Sequence, residues 1–252
     1  MRRAVVNTTG FTSISTSRTS MKIVTLNIQH GGGQRVSKIL DYISSLQADL
    51  VVLTEYRENA NAPVFRSKLA AQGFVNFATA SIAPKENSVG IFSRLPIVSR
   101  TYPMLTEGNV HRVLSAHFEE HSVFGIYFPQ NQAKADLFNF LIDGTLKPKE
   151  SAYLVVGDFN TGRHGIDEAG STFHCAEHFS ALSTGGLVDS WRTRNPDARE
   201  FSWHSNAGNG FRIDHAFASA VADSKIRRVY YDHTPRSSSI SDHSALVIEY
   251  AG

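Results

Sequence analysis

Short apolar stretches of strand character recur along this chain, and five of them meet an acid, amide or imidazole group. Val24-Thr25-Leu26 runs into Asn27, Leu50-Val51-Val52-Leu53-Thr54 into Glu55, and Leu154-Val155-Val156-Gly157 into Asp158 and Asn160. Arg212-Ile213 leads to Asp214 and His215, and Asp242 and His243 stand directly before Ser244-Ala245-Leu246. A strand buried on both faces reads as a continuous run of β-branched and leucine residues, and its end is where a rigid sheet presents a polar group at the surface. A single acid there is ordinarily a turn former or a helix cap. Five strand ends of the same kind describe one shared site.

The spacing between these runs sets the fold class. Residues 22–28 and 49–54 read as strands on either side of a helical pattern at Val36, Ile39, Leu40, Ile43 and Leu46. Residues 63–72 are expected as a helix, and 74–80, 88–93, 97–102, 112–118 and 122–128 as successive strands of a meander. A helix over 134–146 leads into a strand at 153–156, and strands at 201–204, 211–218, 226–231 and 245–250 complete the pattern. Alternating strands and helices of these lengths imply an α/β fold with two packed, mostly antiparallel sheets and helices outside.

With 252 residues a single hydrophobic core is possible, and no linker, repeat or low-complexity stretch divides residues 21–252. Residues 1–20 are rich in Ser and Thr, with Arg2, Arg3 and Arg18 their only charges, and are expected as a disordered extension. An over-called start ahead of Met21 and an organelle-targeting peptide both fit that composition. Cys175 is the single cysteine, so no intrachain disulfide forms, and a cytoplasmic, intracellular setting is expected. No run is long enough to span a bilayer. The balance of 25 basic against 23 acidic residues is not that of a polybasic nucleic-acid binder, so any phosphate-binding surface must come from local arrangement.

Several carboxylates brought together repel one another unless a cation neutralises them, and hard oxygen donors suit Mg²⁺ or Mn²⁺. Zinc fits less well, because there is no cysteine pair and no His-x-x-x-His metalloprotease motif with its glutamate directly after the first histidine. His174 and His178 have helical spacing around Cys175, which reads as a surface helix rather than a metal site.

The ordered motifs resemble those of the endonuclease/exonuclease/phosphatase superfamily, most closely its exodeoxyribonuclease III and AP endonuclease branch. They are Leu26-Asn27-Ile28, Thr54-Glu55, Tyr127-Phe128-Pro129-Gln130, Gly157-Asp158-Phe159-Asn160, the segment from Gly186 to Arg192, Phe201-Ser202-Trp203, Phe211-Arg212-Ile213-Asp214 and Ser241-Asp242-His243. The resemblance implies a four-layer α/β sandwich and a Mg²⁺- or Mn²⁺-dependent phosphodiesterase. DNA with an abasic site or a 3′ end is the implied substrate, and a monomer with no obligate protein partner is expected.

By the same resemblance Asn27 and Glu55 would hold the metal with Asp242 nearby, Asp158 would position the attacking water, and Asn160 would bind the phosphate. Tyr127 would lie against the scissile phosphate, and His243, oriented by Asp214, would contact a non-bridging oxygen. Arg112 and Arg212 are candidates for a phosphate track, and Trp203 fits either contact with an abasic sugar or core packing. Thr54 and Tyr56 depart from the branch pattern around Glu55, and the segment between Gln130 and Lys134 is shorter than the basic insertion AP endonucleases carry there. That short segment keeps open a second reading, a phosphoesterase of the same fold acting on RNA, nucleotide or phospholipid.

Overall fold

The structure, a computed structural model, describes residues 20–80, 82–143 and 151–251. Residues 1–19 of the expected extension and the end of the helix expected over 134–146 lie outside the described residues.

One six-stranded sheet holds β1 (Met21–Asn27), β2 (Leu50–Tyr56), β3 (Asn76–Thr79), β4 (Ser88–Ser93), β13 (Ile226–Asp232) and β14 (Ala245–Tyr250), in the spatial order β13-β14-β1-β2-β4-β3. The other holds β5 (Val98–Arg100), β6 (Val113–His117), β7 (His121–Tyr127), β8 (Ala152–Asp158), β9 (Val188–Asp189) and β12 (Asp214–Ala218), in the order β5-β6-β7-β8-β12-β9. A small hairpin of β10 (Trp203–His204) and β11 (Gly210–Phe211) stands apart. Each large sheet has one parallel pair, β1 with β2 and β7 with β8, and its other pairings are antiparallel. A parallel pair needs a crossover, supplied by α1 (Val36–Ser45) in the first sheet and by α3 (Ala135–Ile142) in the second.

Side chains alternate between the faces of a strand, so each buried strand feeds two cores. Ile23, Val52, Val89 and Ile91 meet Leu114, Val123, Leu154 and Val156 between the sheets. Val24, Leu26, Val51 and Leu53 pack outward against α1 and α2 (Ala62–Ala71) through Ile39, Ile43, Phe65 and Leu69. Phe124, Ile126, Val155 and Phe217 pack outward against α3 and α4 (Ala176–Thr184) through Leu137, Phe138, Phe179 and Leu182. Helix, sheet, sheet, helix is the four-layer sandwich the sequence implied.

Two expected features change. The strands from 74 to 128 are not one meander, because β3 and β4 join the first sheet and the chain crosses to the second before β5. The strand expected over 211–218 is broken into β11 and β12, because Arg212 turns its side chain inward. Arg212 was expected to face substrate, yet it is 0% exposed. Its Nε lies 2.6 Å from Asp167 Oδ1 and its Nη2 lies 2.7 Å from Asp189 Oδ2, with the Trp191 ring centroid 5.1 Å from the guanidinium. Arg192 Nη2 reaches the same Asp167 Oδ1 at 2.8 Å. This clamp anchors the chain just before Asp214.

Removing one partner of a buried pair leaves an unpaired charge, so Asp167→Asn should destabilise the fold by roughly 3–5 kcal/mol. Burial alone would raise the carboxyls of Asp167 and Asp189, but Arg212 holds both below their ordinary range. Their contribution is therefore full above the ordinary carboxylate range and lost as pH falls. Urea unfolding of the wild type and the variant at neutral and acid pH should show the difference between them shrinking in acid.

Candidate active site

The ends of β1, β2, β7 and β8 and the starts of β12 and β14 meet at one end of the sandwich. Pairing registers bring the residues together: Tyr127 is opposite Asp158, Asp158 is opposite Asp214, and Asn27 is opposite Thr54, the neighbour of Glu55. At Glu55 the backbone enters the left-handed region, φ 53°, and the register with β4 slips between Thr54 and Tyr56. That break lifts the carboxylate out of the alternation that would otherwise bury it. Its Oε1 accepts from Asn27 Nδ2 at 3.2 Å and its Oε2 from the His30 N–H at 2.8 Å.

Asp158 ends a wholly buried strand and is 1% exposed. Gly157 before it has φ 144°, and a Cβ there would come within 2.0 Å of the Ile126 carbonyl, so no other residue fits. Asn160, also left-handed at φ 50°, curls back: its N–H donates to Asp158 Oδ1 at 2.9 Å and its Nδ2 to the Phe128 carbonyl at 2.7 Å. Non-glycine residues in this region carry roughly 1–3 kcal/mol of strain, and such strain collects at functional sites. Asn27 Nδ2 completes the join by donating to Asp158 Oδ2 at 3.0 Å.

His243 Nδ1 and Asp214 Oδ2 lie 2.7 Å apart, both buried. The Ser202 hydroxyl accepts from the Asp214 N–H at 3.1 Å, and Tyr231 donates to the Asp214 carbonyl at 2.6 Å. Ser241 accepts from the His243 N–H and donates to the Asn27 carbonyl, tying β14 to β1. Between them Asp242 accepts from the Trp203 indole at 3.2 Å through Oδ2, while its buried Oδ1 has no partner among the described residues. Tyr127 accepts from Asn87 Nδ2 at 3.2 Å, and the Arg112 guanidinium lies 5.3 Å from its ring centroid.

Carboxylate oxygens of Asp158 and Asp214 and a ring nitrogen of His243 lie within 4.8 Å of one another. Burial, then the charge of Asp214, pushes the Asp158 carboxyl up to about 7. Burial opposes a charged imidazole at His243, but Asp214, with Asp158 and Asp242 behind it, raises it to about 10. The fit to a metal rests on the donor set. Glu55 and Asp158, joined through Asn27, and the orphaned Asp242 Oδ1 supply hard oxygens at this end of the sandwich, which suits a divalent cation. Asn27 meets the carboxylates through its amide NH₂, so serving as a ligand would require it to present Oδ1 instead.

Thus Asn27, Glu55, Tyr127, Asp158, Asn160, Asp214, Asp242 and His243 converge, with Arg112 and Trp203 at the rim and Arg212 in the clamp behind. Sequence reasoning missed Asn87 and Lys134. Asn87 stands one residue before β4, the same signal that marked Asp242 and His243. Lys134 carried no signal: it reads as the first residue of a helix, yet it is 0% exposed and its Nζ donates to the Asn160 carbonyl. Burial pulls its ammonium down to about 8. His174 precedes α4 rather than lying on it, so the expected helical pair with His178 does not form.

The endonuclease/exonuclease/phosphatase family model matches residues 24–243. The chain belongs to the endonuclease/exonuclease/phosphatase family. It is a metal-dependent hydrolase of phosphoester bonds. Among solved structures of this fold, an AP endonuclease from Archaeoglobus fulgidus superposes with a TM-score of 0.78 at 19% identity, covering 91% of this chain and 99% of that one. The 3′ phosphatase NExo from Neisseria, bound to a product DNA hairpin, gives 0.78 at 22% identity over 92% and 100% of the two chains. A 3′-5′ exonuclease, NExo from Neisseria meningitidis, gives 0.77 at 22% identity with the same coverage. Comparison with curated protein sequences gave no match. No helix among the described residues is long and apolar enough to cross a membrane.

Losing one preorganised donor typically costs about 10²–10³ in rate, so His243→Ala should lower turnover by at least that order and also lower the melting temperature, because Asp214 is left buried without its partner. Asp214→Asn should lower it too and move the high-pH limb of the pH–rate profile to lower pH, because the raised imidazole loses its main support. A double-mutant cycle should give losses that do not add, and full additivity would mean that Asp214 does not act through His243.

Proposed function

We propose that this chain is a Mg²⁺-dependent phosphodiesterase that cleaves DNA at abasic sites or 3′ ends as a monomer, in the manner of exodeoxyribonuclease III and AP endonucleases, with a role in DNA repair. The observation that carries this reading is the juxtaposition of Asp158 with the Asp214–His243 pair beside Tyr127 and Glu55. A phosphodiester needs an oriented water on one side and stabilised charge on its oxygens, and this end of the sandwich offers both.

Asp158, held by Asn27 and Asn160, orients the water and takes its proton at a carboxylate oxygen. A carboxyl lifted toward neutral pH is suited to that transfer. His243, charged and fixed through Nδ1, is left with Nε2 to donate to a non-bridging phosphoryl oxygen. Tyr127 places its hydroxyl against the same phosphoryl group from the β7 side. Burial and nearby carboxylates raise its pKa, so it stays a donor at working pH. A divalent cation held by Glu55, Asp242 and Asn27 would neutralise phosphoryl charge and the leaving oxygen.

A second reading, the same chemistry on RNA, a nucleotide or a phospholipid, is favoured by the short link between β7 and α3, which leaves little chain to grip a duplex. Hydrolysis of an abasic DNA duplex, single-stranded DNA, RNA, a phospholipid and a small diester, compared side by side, decides between them. Preference for the abasic or 3′-blocked duplex supports the proposal, and preference for one of the others sinks it. EDTA should abolish activity and Mg²⁺ or Mn²⁺ restore it. Glu55→Gln should shift the metal titration to higher concentration with little change in melting temperature, and an unchanged titration would remove Glu55 from the ligand set.

A further inference from the structure

Two clefts flank the active end, and both are basic. One, about 400 Å³, is lined by Arg35, His204, Arg236 and Asp242 among others. The other, about 370 Å³, is lined by Arg57, Lys85, Glu86, His111, Arg112 and Tyr127, with Asn87 between. In the first the cations are committed. Arg35 donates to the carbonyls of Ile28, Gln29 and Ile240, and Arg236 lies against His204 and His233.

The second cleft differs. Arg112 gives its Nε to the Gly108 carbonyl at 3.0 Å and sits by the ring and hydroxyl of Tyr127, so among the described residues part of its five-donor set is left for another acceptor. Lys85 is exposed and makes no hydrogen bond or ion pair among the described residues. Arg57 holds Asn87 Oδ1 at 2.5 Å and His30 Nδ1 at 2.8 Å, which fixes its charge at the cleft's inner edge. His111, 9% exposed, has a buried Nε2 with no hydrogen-bond partner among the described residues. Burial and the adjacent Arg112 keep that ring below its ordinary pKa, so it is a neutral polar group left unsatisfied beside three cations. Such an orphan is costly to leave unpaired. Three cations facing Glu86 leave about +2, which complements a phosphomonoester of about −1.5 to −2 more closely than the single charge of a diester.

We infer that this cleft is an anion subsite for a second, non-reacting phosphoryl group of the substrate, with Arg112 and Lys85 as its principal donors, while Tyr127 on its inner wall meets the reacting group. The inference rests on the phosphodiesterase reading above. A terminal phosphomonoester is the occupant the charge favours, and a neighbouring diester offers the same oxygens with half the charge.

NMR-monitored titration in EDTA, where turnover plays no part, compares the dinucleotide TpT, its 5′- and 3′-phosphorylated forms, and the trinucleotide TpTpT. One phosphorylated form should bind about tenfold more tightly than TpT at low salt. Lys85→Gln should remove part of that advantage and Lys85→Gln with Arg112→Gln all of it. A smaller gain for TpTpT identifies the monoester as the preferred occupant, and an equal gain makes the subsite one for either phosphate. No gain for any of the three, or a gain that persists in the double variant, overturns the inference. Hydrolysis of the abasic duplex is read separately, so loss of activity there speaks against the proposed reaction and loss of the phosphorylation advantage against the subsite.

Discussion

Two carboxylates and an imidazole buried together at the open end of a double sheet govern how the rest of this molecule is arranged. Asp158 and Asp214 face each other across paired strands and would repel at short range in a low-dielectric setting. His243 between them turns that repulsion into attraction, and its charged state is the price of keeping both acids inside. The surrounding bonds then follow a common logic. Ser202, Tyr231 and Ser241 satisfy the backbone around Asp214 and His243, and Asn27 and Asn160 satisfy the oxygens of Asp158. A buried polar group left unpaired is costly, so nearly every donor here has an acceptor. Among the described residues Thr54 Oγ1 and Asp242 Oδ1 are exceptions, and the second is a carboxylate oxygen of the kind that suits a cation.

Most of this end was legible in the sequence because strand ends carry a simple signature. A continuous apolar run that stops at an acid or amide gave Asn27, Glu55, Asp158, Asn160 and Asp214, and the parallel pairs follow from the helical spacing between runs. What stayed hidden depends on side-chain direction, which has no sequence period outside regular elements. Arg212 lies within two residues of Asp214 and reads as a phosphate contact, but the chain leaves the β11 hairpin there and turns the guanidinium toward Asp167 and Asp189. Arg112 reads no differently, yet it ends a short 3-10 turn directly before β6, sits beside Tyr127 and lines the cleft. Lys134 is hidden for the opposite reason: a lysine at a helix start reads as solvated, and only the tertiary fold closes over it.

The left-handed residues show how the sandwich aims its groups. A β-strand can place a side chain only up or down, and both directions in these sheets lead into a hydrophobic core. Glu55 and Asn160 escape by leaving β geometry at the strand end. Each is then held by bonds to a neighbour, Glu55 by the His30 amide and Asn160 by the Phe128 carbonyl and the Lys134 ammonium. The strain is local and the bonds that balance it are local, so the sheets behind remain regular. Preorganisation of this kind puts the chemistry on rigid strands rather than on mobile loops.

Net charge conceals this arrangement. Arg192 and Arg212 pair with Asp167 and Asp189 out of contact with solvent, so two positive and two negative charges enter the composition without reaching any surface. The acids that remain at the active end are drawn inward around His243, whereas Arg57, Lys85 and Arg112 stand in a cleft beside it. A polyanion approaching that end meets cations at the rim before it meets carboxylates at the floor. Field lines between low-dielectric walls concentrate such a local excess, so a chain with a formal charge of only +2 can present a phosphate-binding face. Burial and partner separate the clamp that stabilises this fold from the cations that line the cleft.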